Sequence, residues 1–392
     1  MQHFLRFLLF FGLVAAAFGQ RRIGDVVVDV DKNTIPVRVT AGTAELQNLA
    51  LQAFKSHGRY KLVASGFVYD IRFSAVSATQ VRVDITQGSG ATPVASQAVN
   101  GATARAALLR AADVAVERTN GQGLRGFFTA RLAFISESGG KKEVHISDLY
   151  LGELKRLTND RSNVLTPRWS PDGTRLLYTS YFKNGFPDIY QHDLRTFERT
   201  SFVSLRGSNL GARFSPNGQQ VAMVLSGEGA TNIYVAPAQG RPIVRKTNTQ
   251  EAKASPVWSP DGSRLVFVME PGPQLYTMPA GGGAVQRLAT GFTYAAEPDW
   301  SRTHPNKLAC TVRTGGRYQI AVYDFSQGRA STVSEAPFDG IEPCWLGDGR
   351  HLVYTARDRN TSVLCILDTE TGKSTAVSAG LPNSMQANVW TP

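Results

Sequence analysis

Beyond about residue 124 the chain alternates short apolar runs with polar turn residues. Runs such as Leu176, Leu177, Tyr178 and Leu265, Val266, Phe267, Val268 combine aliphatic, β-branched and aromatic side chains suited to buried strands. One phrase punctuates these runs: TPRWSPDG from Thr166, GARFSPNG from Gly211 and SPVWSPDG from Ser255, with weaker copies EPDWSRTHPN from Glu297, EPCWLGDG from Glu342 and ANVWTP at the chain end. Its aromatic anchors, Trp169, Phe214, Trp258, Trp300, Trp345 and Trp390, are separated by 45, 44, 42, 45 and 45 residues. In the SPDG turn proline presets φ, and Asp and Gly tolerate tight backbone geometry. Each unit reads as four strands: the anchor strand, an alternating strand, a third holding a phrase such as Asp188, Ile189, Tyr190, and a fourth ending in phrases such as KRLT. Four strands in a period of roughly 43 residues make one blade of a β-propeller.

The two ends of this region complement one another. Residues 127–158 supply the second, third and fourth strands of a blade with no anchor strand before them, whereas ANVWTP is an anchor strand with nothing after it. Pairing residues 388–391 with residues 131–137 predicts a sixth blade built from both ends, which leaves no open sheet edge around the ring. A linear solenoid is the alternative, and it would carry capping units instead of complementary half-blades.

Residues 20–123 lack the period. Residues 25–30, 35–39, 60–73 and 81–86 alternate as strands, and two segments read as helices. In the first, Leu46, Leu49, Ala50, Ala53 and Phe54 form one apolar stripe ended by Gly58; the second spans about 103–118. The fold class expected is therefore two-domain: a small N-terminal α/β domain (20–123) followed by a closed six-bladed β-propeller (124–392), joined at the glycine-rich residues 121–126. Ahead of both, Arg6 precedes an apolar run ending in Ala17, Phe18, Gly19, so residues 1–19 read as a cleavable signal peptide and Gln20 as the mature start. That places the protein outside the cytoplasm.

Composition adds limits. The chain is 42% hydrophobic and 19% charged, as expected of a folded protein, and its net charge of +11 is spread in ones and twos. Without a basic run, nucleic-acid binding loses its electrostatic footprint, and a diffuse positive field suits acidic proteins, anionic headgroups or simple solubility. Cys310, Cys344 and Cys365 all fall in strand-like stretches and read as buried small hydrophobes, with one disulfide as the alternative.

Candidate chemistry is sparse. Gly121, Gly123 and Gly126 match GxGxxG, but a helix precedes the match and a strand follows, the reverse of a phosphate cradle. The histidines His57, His145, His192, His304 and His351 fall singly, without metal-ligand spacing, and no nucleophile elbow occurs. No cofactor, metal or catalytic residue is therefore expected. Glu297 and Glu342, each three residues before its anchor Trp, form a pair able in principle to hold a cation or do acid/base work; the other blades place Thr166, Gly211, Ser255 and Ala387 there. Loops entering the anchor strands must share one face near the axis. They predict a binding rim of Asn163, Thr166, Ser208, Gly211, Lys253, Ser255, Ala296, Glu297, Asp339, Glu342 and Gln386, variable where the anchors repeat.

The WSPDG blades, the closing VW strand, the leader and the small preceding α/β domain together resemble the TolB family of the Tol-Pal envelope system. The junction LRGFFTARLAF (residues 124–134) looks like that family's entry into the propeller, and Gln20, Arg21, Arg22, Ile23, Gly24 and Asp25 look like its N-terminal partner-binding segment. The resemblance implies a periplasmic, non-enzymatic, monomeric protein. It further implies that the propeller mouth binds the peptidoglycan-associated lipoprotein Pal, and that the N-terminal segment reaches the inner-membrane protein TolA, supporting envelope integrity and division. Two departures stand out: the N-terminal domain is short between Val39 and Thr43, and the fourth anchor lacks its SPDG turn. Two other readings stay open: a secreted propeller hydrolase or lyase, and a carbohydrate or peptidoglycan sensor, each using the central channel.

Overall fold

The computed structural model describes residues 27–28 (backbone only), 33–88, 92–120, 124–381 and 383–392. The expected signal peptide (residues 1–19), residues 20–25 and residues 121–123 of the GxGxxG match lie outside them.

The N-terminal unit is a five-stranded sheet with two helices. After β1 (Val27–Val28) come β2 (Ile35–Ala41), α1 (Ala44–Ser56), β3 (Tyr60–Leu62), β4 (Tyr69–Ser77), β5 (Gln80–Gln87), β6 (Thr92–Asn100) and α2 (Ala104–Asn120). Sheet order is β3-β2-β4-β5-β6, with β3 and β4 both parallel to β2 and the rest antiparallel. Thr43 caps α1, its hydroxyl accepting the Leu46 N–H at 3.3 Å, and Leu46, Leu49, Ala50, Ala53 and Phe54 form the buried stripe. The apolar stretch 60–73 is thus two strands, which flank β2 on opposite sides. Strand β6 escapes sequence reading because almost all of it is exposed, so no apolar alternation marks it. The strand expected at 25–30 also differs in its place: Val27 and Val28 pair with Thr375 and Ser374, adding a fifth strand to a propeller blade rather than joining the N-terminal sheet.

The remainder is a closed six-bladed β-propeller of antiparallel sheets. Blades one to five begin with inner strands Val164–Trp169, Asn209–Phe214, Lys253–Trp258, Ala295–Trp300 and Asp339–Trp345; blade six joins Ser384–Trp390 to Arg131–Ser138, Lys141–Asp148 and Lys155–Arg156. Anchor indoles stitch neighbouring blades: Nε1 of Trp169, Trp258 and Trp345 donates to the carbonyls of Asn388, Arg213 and Asp299 in the preceding blade, at 3.2, 3.1 and 3.0 Å. Trp300, whose blade lost the SPDG turn, donates instead to Pro305 in its own blade.

Closure joins both chain ends as expected, with one change of register. Val389 pairs with Leu132 as Trp345 pairs with Leu352, so Val389 and not Trp390 holds the anchor position of blade six. Trp390 falls one residue beyond. Its ring lies 6.0 Å from that of Trp169, and its Nε1 donates to the Pro171 carbonyl at 3.0 Å, clamping the turn of blade one. A side chain at Gly173 would strike that ring.

The two units share one core. Asp113 of α2 accepts the N–H groups of Phe127, Phe128 and Thr129 and the Thr129 hydroxyl, at 2.6 to 3.1 Å, fixing the connecting segment. Phe127 and Phe128 bury against α1 and blade five. Arg105 of α2 forks onto Asp148, and Ser56 meets Tyr150 at 2.9 Å. At the C-terminal end of α1, the buried rings of His57 and His351 meet edge to face, their centroids 4.5 Å apart.

Candidate partner-binding channel

Every inner strand contains a β-bulge at the same place, and the bulged residue in each is Thr166, Gly211, Ser255, Glu297, Glu342 or Gln386. All six have left-handed backbone, with φ between 49° and 61°. Five of them are not glycine, a conformation that costs on the order of 1–3 kcal/mol each and persists only where the surroundings impose it. These six residues line one cavity of about 190 Å³ on the propeller axis.

That placement corrects the rim expected from sequence in two ways. First, the converging residues sit within the inner strands, not in the loops before them; the blade-six member is Gln386, the rim residue expected there, whereas Ala387, three before Trp390, is not the equivalent of Glu297 and Glu342. Second, the expected residues from the loops do not reach the cavity. Lys253 is buried, its ammonium bonded to Thr249 and Glu251, and Ala296 is buried in the ladder opposite Thr311. Asn163 is exposed but its carbonyl is taken by the Tyr181 N–H at 3.0 Å. Ser208 is bonded to Ser226, and Asp339 accepts the Tyr318 N–H. A buried lysine opening an inner strand is invisible to a rule that sends lysine to the surface.

Side chains pass hydrogen bonds around half of the ring. Glu297 Oε2 accepts the Thr311 hydroxyl at 2.6 Å and the Glu342 N–H at 2.9 Å. Glu342 Oε2 repeats this with Thr355 at 2.8 Å and the Gln386 N–H at 2.9 Å, and Gln386 Oε1 accepts the Thr166 N–H at 2.8 Å. In the opposite half Gly211 and Ser255 are too short to continue, which leaves that side of the mouth open.

A second tier lies deeper, at the position just before each anchor: Arg168, Arg213, Val257, Asp299, Cys344 and Asn388. Asp299 and Asn388 accept the backbone N–H of Trp345 and Trp169 at 2.9 and 2.8 Å, and Arg213 pairs with Asp299 across the channel at 2.6 Å. Sequence reading missed this tier because it compared positions three before the anchor, and the second set appears only at the position one before it. Below it a second cavity, of about 390 Å³, is faced by Arg125, Gly126 and Thr129 of the connecting segment.

Burial, and then the nearby Glu342, push the Glu297 carboxyl up to about 7, against the pull of the Thr311 hydroxyl. An acid whose folded pKa is raised contributes fully below its ordinary value near 4.5, and that contribution is lost as pH rises through about 7. Glu297→Gln keeps the acceptor oxygen without the charge. Relative to this variant, the wild type should lose on the order of 1–3 kcal/mol between pH 5 and pH 8, read from urea unfolding across that range; parallel profiles would remove the raised carboxyl.

The three cysteines are buried free thiols. Their burial holds them at about 12, far from reactive thiolates. Among the described residues, a grouping with metal-ligand chemistry is His57, Asp348 and His351, whose donor atoms lie within 4.8 Å of one another. Both His351 nitrogens are already engaged, Nδ1 with Asp348 at 2.6 Å and Nε2 with the Gly58 N–H at 3.2 Å. His57 Nδ1 accepts the Arg59 N–H, so only His57 Nε2 is open. That is a domain-joining cluster and falls short of a ligand set.

The sequence model of the TolB beta propeller domain matches residues 119–392. The chain belongs to the TolB propeller family. Relatives include the Protein TolB homolog of Chlorobium luteolum, 34% identical over 163 residues, and the Tol-Pal system protein TolB of Bordetella pertussis, 29% identical over 164 residues. Each alignment covers 41% of this chain and 37% of the relative, well short of the relatives' whole length. The crystal structure of TolB from Acinetobacter baumannii superposes with a TM-score of 0.83 at 21% identity, covering 93% of this chain and 98% of that one. The structure of a putative TolB from Agrobacterium tumefaciens gives 0.53 at 17% identity, over 68% and 99% of the two chains. These likenesses show the shared fold, including the N-terminal domain that the TolB structure from Acinetobacter spans.

Proposed function

We propose that this TolB-family chain is a periplasmic, non-catalytic binding component of a Tol-Pal envelope system. Its propeller mouth takes a Pal-like lipoprotein domain, and residues 20–25 engage a TolA-like inner-membrane protein, so that the pair of contacts links envelope layers in support of their integrity and of division. The observation that carries this reading is the convergence of six bulge residues of five kinds, one per blade, on a single axial cavity, in a propeller whose anchor strands repeat. A fold that keeps its anchors and varies its inner bulges is organised for recognition. Catalysis is disfavoured by the same geometry, because one oxygen of each carboxyl, Oε2 of Glu297 and of Glu342, is spent on holding the next blade. The names of the relatives point to the same system.

Blocking the mouth tests it. Ser255 is exposed on the open side of the cavity, so Ser255→Trp should fill the entrance while leaving the blade core alone. Calorimetric titration with a Pal-like lipoprotein domain should show at least ~100-fold weaker binding at an unchanged melting temperature, the effect of losing a central contact of a standard-size interface. Undiminished affinity would move the site elsewhere.

A further inference from the structure

Arg168 carries a charge that the fold does not require. The same position in the other blades holds Val257, Cys344, Asp299, Asn388 and Arg213, so the blade architecture accepts apolar and neutral residues there. Arg213 is matched by Asp299 at 2.6 Å. For Arg168 no carboxylate oxygen lies within 4.0 Å among the described residues, and its hydrogen bond goes to the carbonyl of its neighbour Pro167 at 3.0 Å. Burial, and then repulsion from Arg213, hold its pKa down to about 10, although Asp299 and Glu342 attract the charge from a distance without bonding it.

The side chain is also reachable. Arg168 and Arg213 line both the mouth cavity and the deeper one, so they form the waist between them. They belong to blades one and two, beneath Thr166 and Gly211, in the half of the ring left open by small residues. The acidic members, Glu297 and Glu342, occupy the other half.

From this we infer that Arg168, with Arg213 beside it, is a carboxylate-binding subsite at the waist of the channel, taking the carboxylate of an acidic side chain that a partner protein inserts through the mouth. A guanidinium presents a planar fork of donors that matches a carboxylate in two bonds. The mouth cavity, about 190 Å³, is smaller than the roughly 300–1,000 Å³ of pockets that enclose whole small molecules, which suits a single inserted side chain. The acidic pair Glu297 and Glu342 across the ring, which shares negative charge with Glu297 only partly ionised near pH 7, disfavours a doubly charged phosphate more than a single carboxylate. The partner's part in this rests on the mouth-binding reading; the subsite chemistry does not.

The test uses free probes on the intact protein. N-acetyl-aspartyl amide and its uncharged counterpart N-acetyl-asparaginyl amide are titrated at constant ionic strength, with binding read by calorimetry and by the fluorescence of the anchor indoles. Wild type should prefer the aspartyl probe at least tenfold. Arg168→Met should abolish that preference and melt no lower than wild type, since a purely structural arginine would lower the melting temperature when removed. Arg168→Lys, which keeps the charge without the fork, should retain a reduced preference, and it decides the matter if the Met variant does not fold. Equal binding of the two probes by wild type, or an undiminished preference in either variant, overturns the subsite. Because no partner protein is involved, that failure would leave the mouth-binding reading standing, and the Ser255→Trp titration tests that reading alone.

Discussion

A chain truncated after residue 387 will lose the cooperative unfolding of the propeller, with a cost on the order of its whole net stability, about 5–15 kcal/mol. The residues removed include the last three of the inner strand, Asn388, Val389 and Trp390, which lock blade six to blade one. Asn388 accepts the Trp169 N–H through its side chain and the Trp169 indole through its carbonyl, at 2.8 and 3.2 Å. Val389 is buried in the core shared with the N-terminal unit, and Trp390 covers Trp169 and the turn of blade one. The half-buried Trp390 ring is lost, and the ladder partner of Arg131, Leu132 and Ala133 goes with it. The exposed edge then becomes a template for aggregation. Urea unfolding followed by tryptophan fluorescence reads the loss; a midpoint within error of wild type would show that the ring does not depend on this strand.

Asp113→Ala should produce the next largest effect, roughly 3–5 kcal/mol, because a half-buried carboxylate with several partners is removed and its donors, including those of the buried Phe127 and Phe128, are stranded. The carboxylate accepts three consecutive backbone N–H groups and a hydroxyl. Burial pushes it up to about 6 even against those four bonds. Stranding the N–H groups of Phe127 and Phe128 loosens the segment that joins α2 to the propeller, so the two units should separate in calorimetry into distinct transitions. Asp113→Asn, which keeps one acceptor oxygen, should fall between. A single unshifted transition in the Ala variant would mean that the packing of Phe127 and Phe128 suffices without the carboxylate.

The architecture was legible in the sequence because it repeats. An aromatic anchor followed by an SPDG-like turn, clear in blades one to three and weaker in the later copies, reports the same strand again and again, and an anchor strand missing at one end and surplus at the other reports closure. The N-terminal unit offered single instances only. There the exposed β6 carried no alternation, and the break between β3 and β4 hid inside one apolar stretch. The site was half legible: that variable residues near the anchors would converge on the axis could be read from the repeat. That they would do so from inside the strands could not, because a β-bulge is a backbone event with no fixed residue signature; Thr, Gly, Ser, Glu and Gln all occupy it here. Lys253 pairs with Met269 ahead of the bulge and is buried instead of joining the rim, and Val389, not Trp390, takes the anchor position of the last repeat.

Hydrogen–deuterium exchange of the protein with and without a Pal-like lipoprotein domain tests the binding role of the mouth most directly. Added protection is expected in the inner strands and their entry loops around residues 164–168, 209–213, 253–257, 295–299, 339–344 and 384–388. None is expected in the outer strands or in β5 and β6 of the N-terminal sheet. Protection confined to the outer strands or to the N-terminal sheet, with the inner strands unchanged, would contradict a partner seated at the channel mouth.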